Sequence, residues 1–239
     1  MSKLRETRYE ALFDDSIRPV PLWNSWAWNV TRQRTTNYIV HSIGERQRIL
    51  IIGVGSGGSL RNARVPREHC VQKVGIDIKK KGLLESREYC DPILASASHL
   101  PLKGDSFDFV LFEQVLHHLK GQKNLEIALK EAHRTLVNGG KLVAIEPNSL
   151  NPSGFLMNIV NTFHLFWVLF GGSNYEFALS PREIRILLSD FCSIDIRALS
   201  FLHPRLPLSS QLWILKNERI LMKRFSYFAW MLAITAIKS

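Results

Sequence analysis

The chain has 239 residues, 46% of them hydrophobic and 22% charged, ordinary values for a globular protein with room for one α/β core and a small cap. Cys70, Cys90 and Cys192 lie far apart with no CxxC pair, which argues against both a disulfide framework and a zinc site. The formal charge of +10 admits nucleic acid, anionic lipid or a phosphorylated substrate, and no compact basic run selects among them, Lys79-Lys80-Lys81 being the longest.

Residues 1–40 carry Tyr9, Phe13, Trp23, Trp26, Trp28 and Tyr38, interrupted by Pro19 and Pro21. That is too aromatic for a disordered tail and too irregular for one long helix. It predicts a segment folded over the main domain and ending in a helix from about Trp26 to Ile43, with Arg32 and Arg34 near the loop that follows the first strand. That strand is Ile49 to Ile52, an apolar run without helical period, as expected of a strand buried on both faces of a parallel sheet. Gly53, Gly55, Gly57 and Gly58 follow, a spacing that permits a tight strand-to-helix turn and close approach of backbone to a ligand. Taken alone, the spacing fits a dinucleotide fingerprint as well as other nucleoside loops, or a structural turn with no ligand.

Leu60 to Val65 allow only a short helix, because Pro66 stops it. Val71 to Asp77 is the second strand, and an acid at its carboxyl end can accept hydrogen bonds from both hydroxyls of a ribose. A third strand is expected near Pro92 to Ala97. The fourth, Phe107 to Phe112, runs into Glu113-Gln114 and Leu116-His117-His118-Leu119. Leu125, Ala128, Leu129, Ala132 and Leu136 share one face of a helix over 122–136, with Asn138-Gly139-Gly140 expected to close it, and His133 on its polar side. Lys141 to Ile145 is the fifth strand, ending in Glu146-Pro147-Asn148. Five alternations of strand and helix with short links predict a doubly wound, mostly parallel sheet.

The last third changes character. Residues 153–172 are rich in Phe, Leu and Trp. Ser180-Pro181-Arg182-Glu183 opens a helix with a capping box and a proline in its first turn. A strand over Ile194, Ile196 and Ala198, a helix from about Ser209 to Arg224 and an apolar strand from Ala229 to Ile237 complete the chain. One domain over 1–239 is expected: an aromatic cover (1–45), a cofactor-binding core (46–148), a cap insertion (149–180), and closing helices and strands (181–239).

From about Arg48 to Asn148 the chain resembles the class I S-adenosylmethionine-dependent methyltransferases, in their small-molecule branch. The resemblance is carried by the glycine loop, Val-Gly-Ile-Asp77, His99-Leu-Pro-Leu, Ser106-Phe-Asp-Phe-Val, Val115-Leu-His-His-Leu and Gly139-Gly-Lys-Leu-Val-Ala-Ile-Glu-Pro. It implies a seven-stranded Rossmann-like sheet whose last strand inserts antiparallel, and S-adenosylmethionine as cofactor. It further implies cofactor contacts from Gly53, Gly55, Ser56, Gly57, Asp77, Ile78, Ser96, Ala97, Ser98, Glu113 and Gln114. A dehydrogenase would need a second nucleotide-binding half, and none follows Asn148. Two positions depart from the family pattern. Ile51 stands where an acid usually precedes the loop, and Ser96 where an aspartate usually lies beside the adenine.

His117 and His118 fall at the carboxyl end of the fourth strand, where such sheets bind ligands, so either is a candidate general base, His118 being placed nearer the reacting centre. A role limited to bonding loop backbone is the alternative. No metal is expected. The acceptor is read as a small or lipid-linked molecule. A nucleic-acid methyltransferase is the runner-up, though no Asn-Pro-Pro-aromatic tetrapeptide is present. A cofactor-binding scaffold without turnover is the third reading. Residues 153–172 are either a helix packed in the core or an apolar lid that admits a hydrophobic, membrane-anchored acceptor. No stretch reaches the roughly 18–20 apolar residues of a membrane span. Met1 to Glu10 lack the apolar core of a signal peptide, so a cytoplasmic protein with peripheral membrane contact is expected.

Overall fold

The apolar runs pair into one seven-stranded sheet in a computed structural model that describes residues 26–55, 70–121, 124–162 and 176–239. The aromatic residues before Trp26, Ser56, Gly57, Gly58, residues 60–65, where a short helix is expected, and residues 163–172 of the expected lid lie outside the described residues. The strands are β1 (Gln47–Ile52), β2 (Cys70–Asp77), β3 (Asp91–Leu94), β4 (Phe107–Glu113), β5 (Leu136–Pro147), β6 (Ser193–Ser200) and β7 (Met231–Ile237). Their order is β3-β2-β1-β4-β5-β7-β6, with β1 to β5 parallel and β7 antiparallel to both β5 and β6. The direction of winding reverses between β1 and β4, and a crevice therefore opens beyond their carboxyl ends.

Period-two alternation splits each central strand between two cores. Ile49, Ile51, Phe109, Leu111, Val143 and Ile145 face one side, against Ile39, Ile43 and Trp230. Leu50, Ile52, Val110, Phe112, Leu142 and Ala144 face the other, against Leu125, Leu129, Ile184 and Leu188.

The helices are α1 (Trp26–Ser42), α2 (Lys80–Glu85), α3 (Leu116–Gly121), α4 (Leu125–Thr135), α5 (Pro152–Thr162), α6 (Pro181–Leu187) and α7 (Leu208–Arg224). α1 buries Ala27, Thr31, Thr35 and Ile39, one residue per turn. It crosses the β5–β7–β6 end of the sheet, where the Thr31 hydroxyl lies 3.0 Å from Ser200 Oγ and Tyr38 OH 2.8 Å from Thr235 Oγ1. This corrects the expectation for Arg34. Its guanidinium forks onto the Glu218 carboxylate of α7 (Nη2 to Oε2 2.6 Å), so α1 carries it to the far strands and away from the glycine turn.

Three further expectations change. Asn138-Gly139-Gly140 does not close α4, which ends at Thr135; the chain passes directly into β5. The three residues form a bulge instead. Phe107 pairs with Leu136 and Phe109 with Lys141, so β5 spends extra residues there, and Gly139 takes φ 74°. At α6, Ser180 Oγ accepts from Glu183 N–H as expected of a cap (3.2 Å), but the Glu183 carboxylate turns to Lys120 Nζ (2.9 Å). His133 is not simply solvated: it is half-buried, and its ring stands edge-on to Phe191 at 4.9 Å.

Candidate active site

β1 ends in a turn that only glycine fits. Gly53 has φ 72°, and a Cβ there would lie 2.4 Å from Val115 Cγ2. The N–H groups of Gly53 and Val54 both donate to Ile76 O (2.8 and 3.0 Å), which fixes the turn to the end of β2. Gly55 has φ 51°, yet the space where its Cβ would stand is open among the described residues, with none of their heavy atoms within 4 Å apart from its chain neighbours. Gly82 of α2 brings that helix against the turn: a Cβ at Gly82 would meet Gly55 C at 3.0 Å.

Asp77 closes the same corner. Its Oδ2 accepts from Gly55 N–H and its Oδ1 from Lys79 N–H, both at 2.8 Å. A carboxylate has about four acceptor sites, so each oxygen keeps one for a ligand hydroxyl. An open cradle at Gly55 beside a fixed carboxylate with spare acceptors fits a nucleoside ribose. Ile78, exposed, continues the rim on the open side.

After β3 the chain makes a tight turn, Ser96 to His99. Ser96 Oγ lies 2.9 Å from Ser98 Oγ, which lies 3.0 Å from His99 Nδ1, while Ala97 and Ser98 are buried. Glu131 and Arg134 of α4 hold this loop: Leu100 N–H donates to Glu131 Oε2 (3.0 Å), and Arg134 Nη1 donates to Leu102 O (2.9 Å). Burial opposes ionisation of Glu131, but Arg134, bonded to it, prevails and lowers its pKa.

The histidines are organised by a residue the sequence reading passed over. Glu146, at the carboxyl end of β5, is fully buried. Its Oε1 accepts from Val115 and Leu116 N–H (both 2.8 Å), and its Oε2 from His117 N–H (3.3 Å) and from His117 Nδ1 (2.7 Å). One carboxylate thus caps α3 and fixes the imidazole as its own donor. Burial of His117 pushes its pKa down, but the charge and hydrogen bond of Glu146 outweigh burial and leave it raised. His118 is half-buried, its ring 4.1 Å from that of His117 and its Nδ1 3.8 Å from Glu176 Oε1. Gln114 takes φ 57° and donates its N–H to Ile145 O (2.9 Å), so that β4 bends sharply into α3; Glu113, half-buried, precedes it. Phe177 N–H donates to His117 O (3.0 Å), which lays the chain before α6 along the same rim. Among the described residues no cluster of His, Cys, Asp or Glu is arranged to hold a metal.

The structure therefore brings Gly53, Gly55, Asp77, Ile78, Gln114 and the two histidines to the carboxyl ends of neighbouring strands, with the Ser96–Ser98 turn after β3. Residues 50–144 match the profile of the family described as "Methyltransferase domain". Over these residues the chain carries a methyltransferase domain. An uncharacterized protein of Methanocaldococcus jannaschii is 31% identical over 122 residues, 51% of this chain and 50% of its own. A ubiquinone/menaquinone biosynthesis C-methyltransferase of Sinorhizobium fredii is 32% identical over 89 residues, 37% of this chain and 30% of its own. The chain spans half or less of the length of these two relatives. In fold, the chain is similar to a structure from Thermotoga maritima described as an S-adenosylmethionine-dependent methyltransferase and possible histamine N-methyltransferase. That likeness has TM-score 0.63 and 19% identity, over 89% of this chain and 93% of that one.

Glu146 could have been found in the sequence. An acid ending an apolar strand that is buried on both faces needs donors nearby. Asn148 gives the same signal. It is buried, and its Nδ2 donates to Tyr227 O (2.7 Å) and Ala229 O (2.9 Å), fastening the chain before β7 to the carboxyl end of β5.

Proposed function

We propose that the chain transfers a methyl group from S-adenosylmethionine to a small, hydrophobic, lipid-linked acceptor. The observation that carries the cofactor is the Asp77 carboxylate, fastened to the Gly55 and Lys79 amides beside the open space at Gly55. Asp77 would hold the ribose there, the glycine turn would run beside the rest of the nucleoside, and the turn at Ser96–Ser98 would meet the base. Bound in this way, S-adenosylmethionine supplies a sulfonium methyl already activated for displacement.

What is left to the chain is orientation, exclusion of water and, for an acidic acceptor, removal of a proton. His118 takes that role in this reading: its ring borders the rim, and the proton lost by the acceptor as its new bond to carbon forms goes to the imidazole. His117 and Glu146 are positioning residues that hold α3, and with it His118. The exposed Phe155 and Leu156 on α5, which follows β5 at the crevice end, support a hydrophobic acceptor. The relative named for ubiquinone and menaquinone biosynthesis supports the same class.

The test is transfer of a labelled methyl group from S-adenosylmethionine to a cell extract, followed by partition. The reading expects label in the organic phase, and its loss with His118→Ala. Label confined to nucleic acid or to the aqueous phase would contradict the acceptor class, and absence of transfer would favour a scaffold.

A further inference from the structure

Between β6 and β7 the chain makes an excursion with almost no buried side of its own. α7 is 17 residues long, and Gln211 is its one buried residue. Gln211 Nε2 donates to Leu206 O (2.7 Å), and Glu218 is held by Arg34. At about 100° per residue, Trp213, Lys216, Ile220, Lys223 and Arg224 share the opposite face of the helix. Trp213 is 60% exposed and Ile220 57%, and the three cations are exposed as well. No acid lies on that face, because the single acid of the helix, Glu218, is turned inward. Beyond the helix Phe225, Tyr227 and Phe228 are also exposed. Asn148 Nδ2 donates to Tyr227 O and Asn151 Nδ2 to Phe228 O (2.7 and 2.8 Å), which ties the turn to the chain that leads into α5.

Large apolar and aromatic side chains interleaved with cations and free of acids match one environment better than water or a protein core. At an anionic bilayer the rings settle at headgroup depth, while the Lys and Arg stems lie along the apolar surface and their charges reach phosphate. The position has a functional sense. β6 ends and β7 begins at the same end of the sheet as Pro147, so this surface lies at the end of the sheet that carries Asp77 and His118, over its β7–β6 side.

We propose that α7 and the 225–228 turn form a membrane-docking face that seats the ligand-binding end of the sheet on an anionic lipid bilayer. The proposal rests on the reading of the site as one for a lipid-linked acceptor. It is tested by flotation of the full chain with vesicles of phosphatidylcholine alone and of phosphatidylcholine with phosphatidylglycerol, at low and high salt. The wild type should float with the mixed vesicles at low salt and be released at high salt, as screening predicts. Lys216→Gln/Lys223→Gln/Arg224→Gln should weaken binding on the order of a hundredfold, at about 1 kcal/mol per charge. Trp213→Asp/Ile220→Asp should abolish flotation. Both variants should keep the wild-type melting temperature and bind S-adenosylhomocysteine as the wild type does. Failure of the wild type to float, or equal flotation of folded variants, overturns the proposal. So does a wild-type dimer, measured by light scattering, that the variants dissociate, because the face would then belong to a second copy. Calorimetry with S-adenosylhomocysteine on the same samples separates the two readings: binding without flotation removes the docking face alone, and flotation without binding removes the cofactor site alone.

Discussion

At the scale of single residues, the site depends on two glycines with opposite sensitivities. Gly53→Ala forces a Cβ to within 2.4 Å of Val115 at a positive φ, so it should lower the melting temperature strongly. Gly55→Ala brings its Cβ against none of the described residues and should cost about 1–2 kcal/mol for the left-handed backbone alone. It should nevertheless weaken S-adenosylhomocysteine binding, because the methyl group enters the open cradle. Thermal melts paired with calorimetry check the contrast; equal loss of stability in both would contradict the geometry. Glu146→Gln replaces an acceptor of four hydrogen bonds by an amide that must turn a donor toward N–H groups. A loss of about 1–3 kcal/mol in stability is expected, with kcat falling more than the affinity for S-adenosylhomocysteine. Unchanged kcat in a folded variant would remove Glu146 from the positioning of His118.

At the scale of elements, the parallel core is legible because buried strands announce themselves as apolar runs, as in Ile49–Ile52 and Phe107–Phe112. Asp108 is legible only as part of a pattern. The structure supplies its reason: Arg48 donates to it from its backbone N–H and from Nε and Nη2 (2.8, 2.9 and 2.8 Å), clamping the amino ends of β1 and β4. What local pattern could not give depends on register between distant segments. Asn138-Gly139-Gly140 looks like a helix stop, and only pairing with β4 and β7 turns it into a bulge. Gly139→Ala should therefore cost about 1–2 kcal/mol from its φ of 74° without altering α4. A shortened α4 in the amide exchange of the variant would restore the helix-stop reading. Arg34 likewise needed the position of α7, which no spacing in α1 reveals. Glu146 was visible as an acid in an apolar strand, but its partners came from α3, roughly thirty residues away.

At the scale of the molecule, two histidines make stability depend on pH in opposite directions. The pKa of His203 falls to about 4, chiefly through burial and secondarily through Arg205. The geometry agrees, since His203 Nδ1 accepts from Arg205 N–H (3.2 Å) and the ring stands edge-on to Trp230 at 4.8 Å. A depressed histidine contributes stability above its unfolded value of about 6.5, lost as pH falls toward 4. His117, with a raised pKa, contributes stability present below about 6.5 and lost as pH rises through its folded value. Melting curves of His203→Phe should therefore lose much of the fall in stability between pH 6.5 and 4 that the wild type shows. An unchanged acid limb would contradict the burial of that ring. Among the described residues no helix is long and apolar enough to cross a membrane.

The central claim is that the glycine turn and Asp77 form a nucleoside site for S-adenosylmethionine, and calorimetry tests it most directly. Titration of S-adenosylhomocysteine and of NADH into the wild type and into Asp77→Ala addresses both halves of the claim. The account predicts that the wild type binds S-adenosylhomocysteine and not NADH. It also predicts that Asp77→Ala, still folded, binds S-adenosylhomocysteine more weakly by about 1.5–3 kcal/mol, the scale of hydrogen bonds to a charged group. Binding of NADH without S-adenosylhomocysteine, or unchanged affinity in Asp77→Ala, would contradict it.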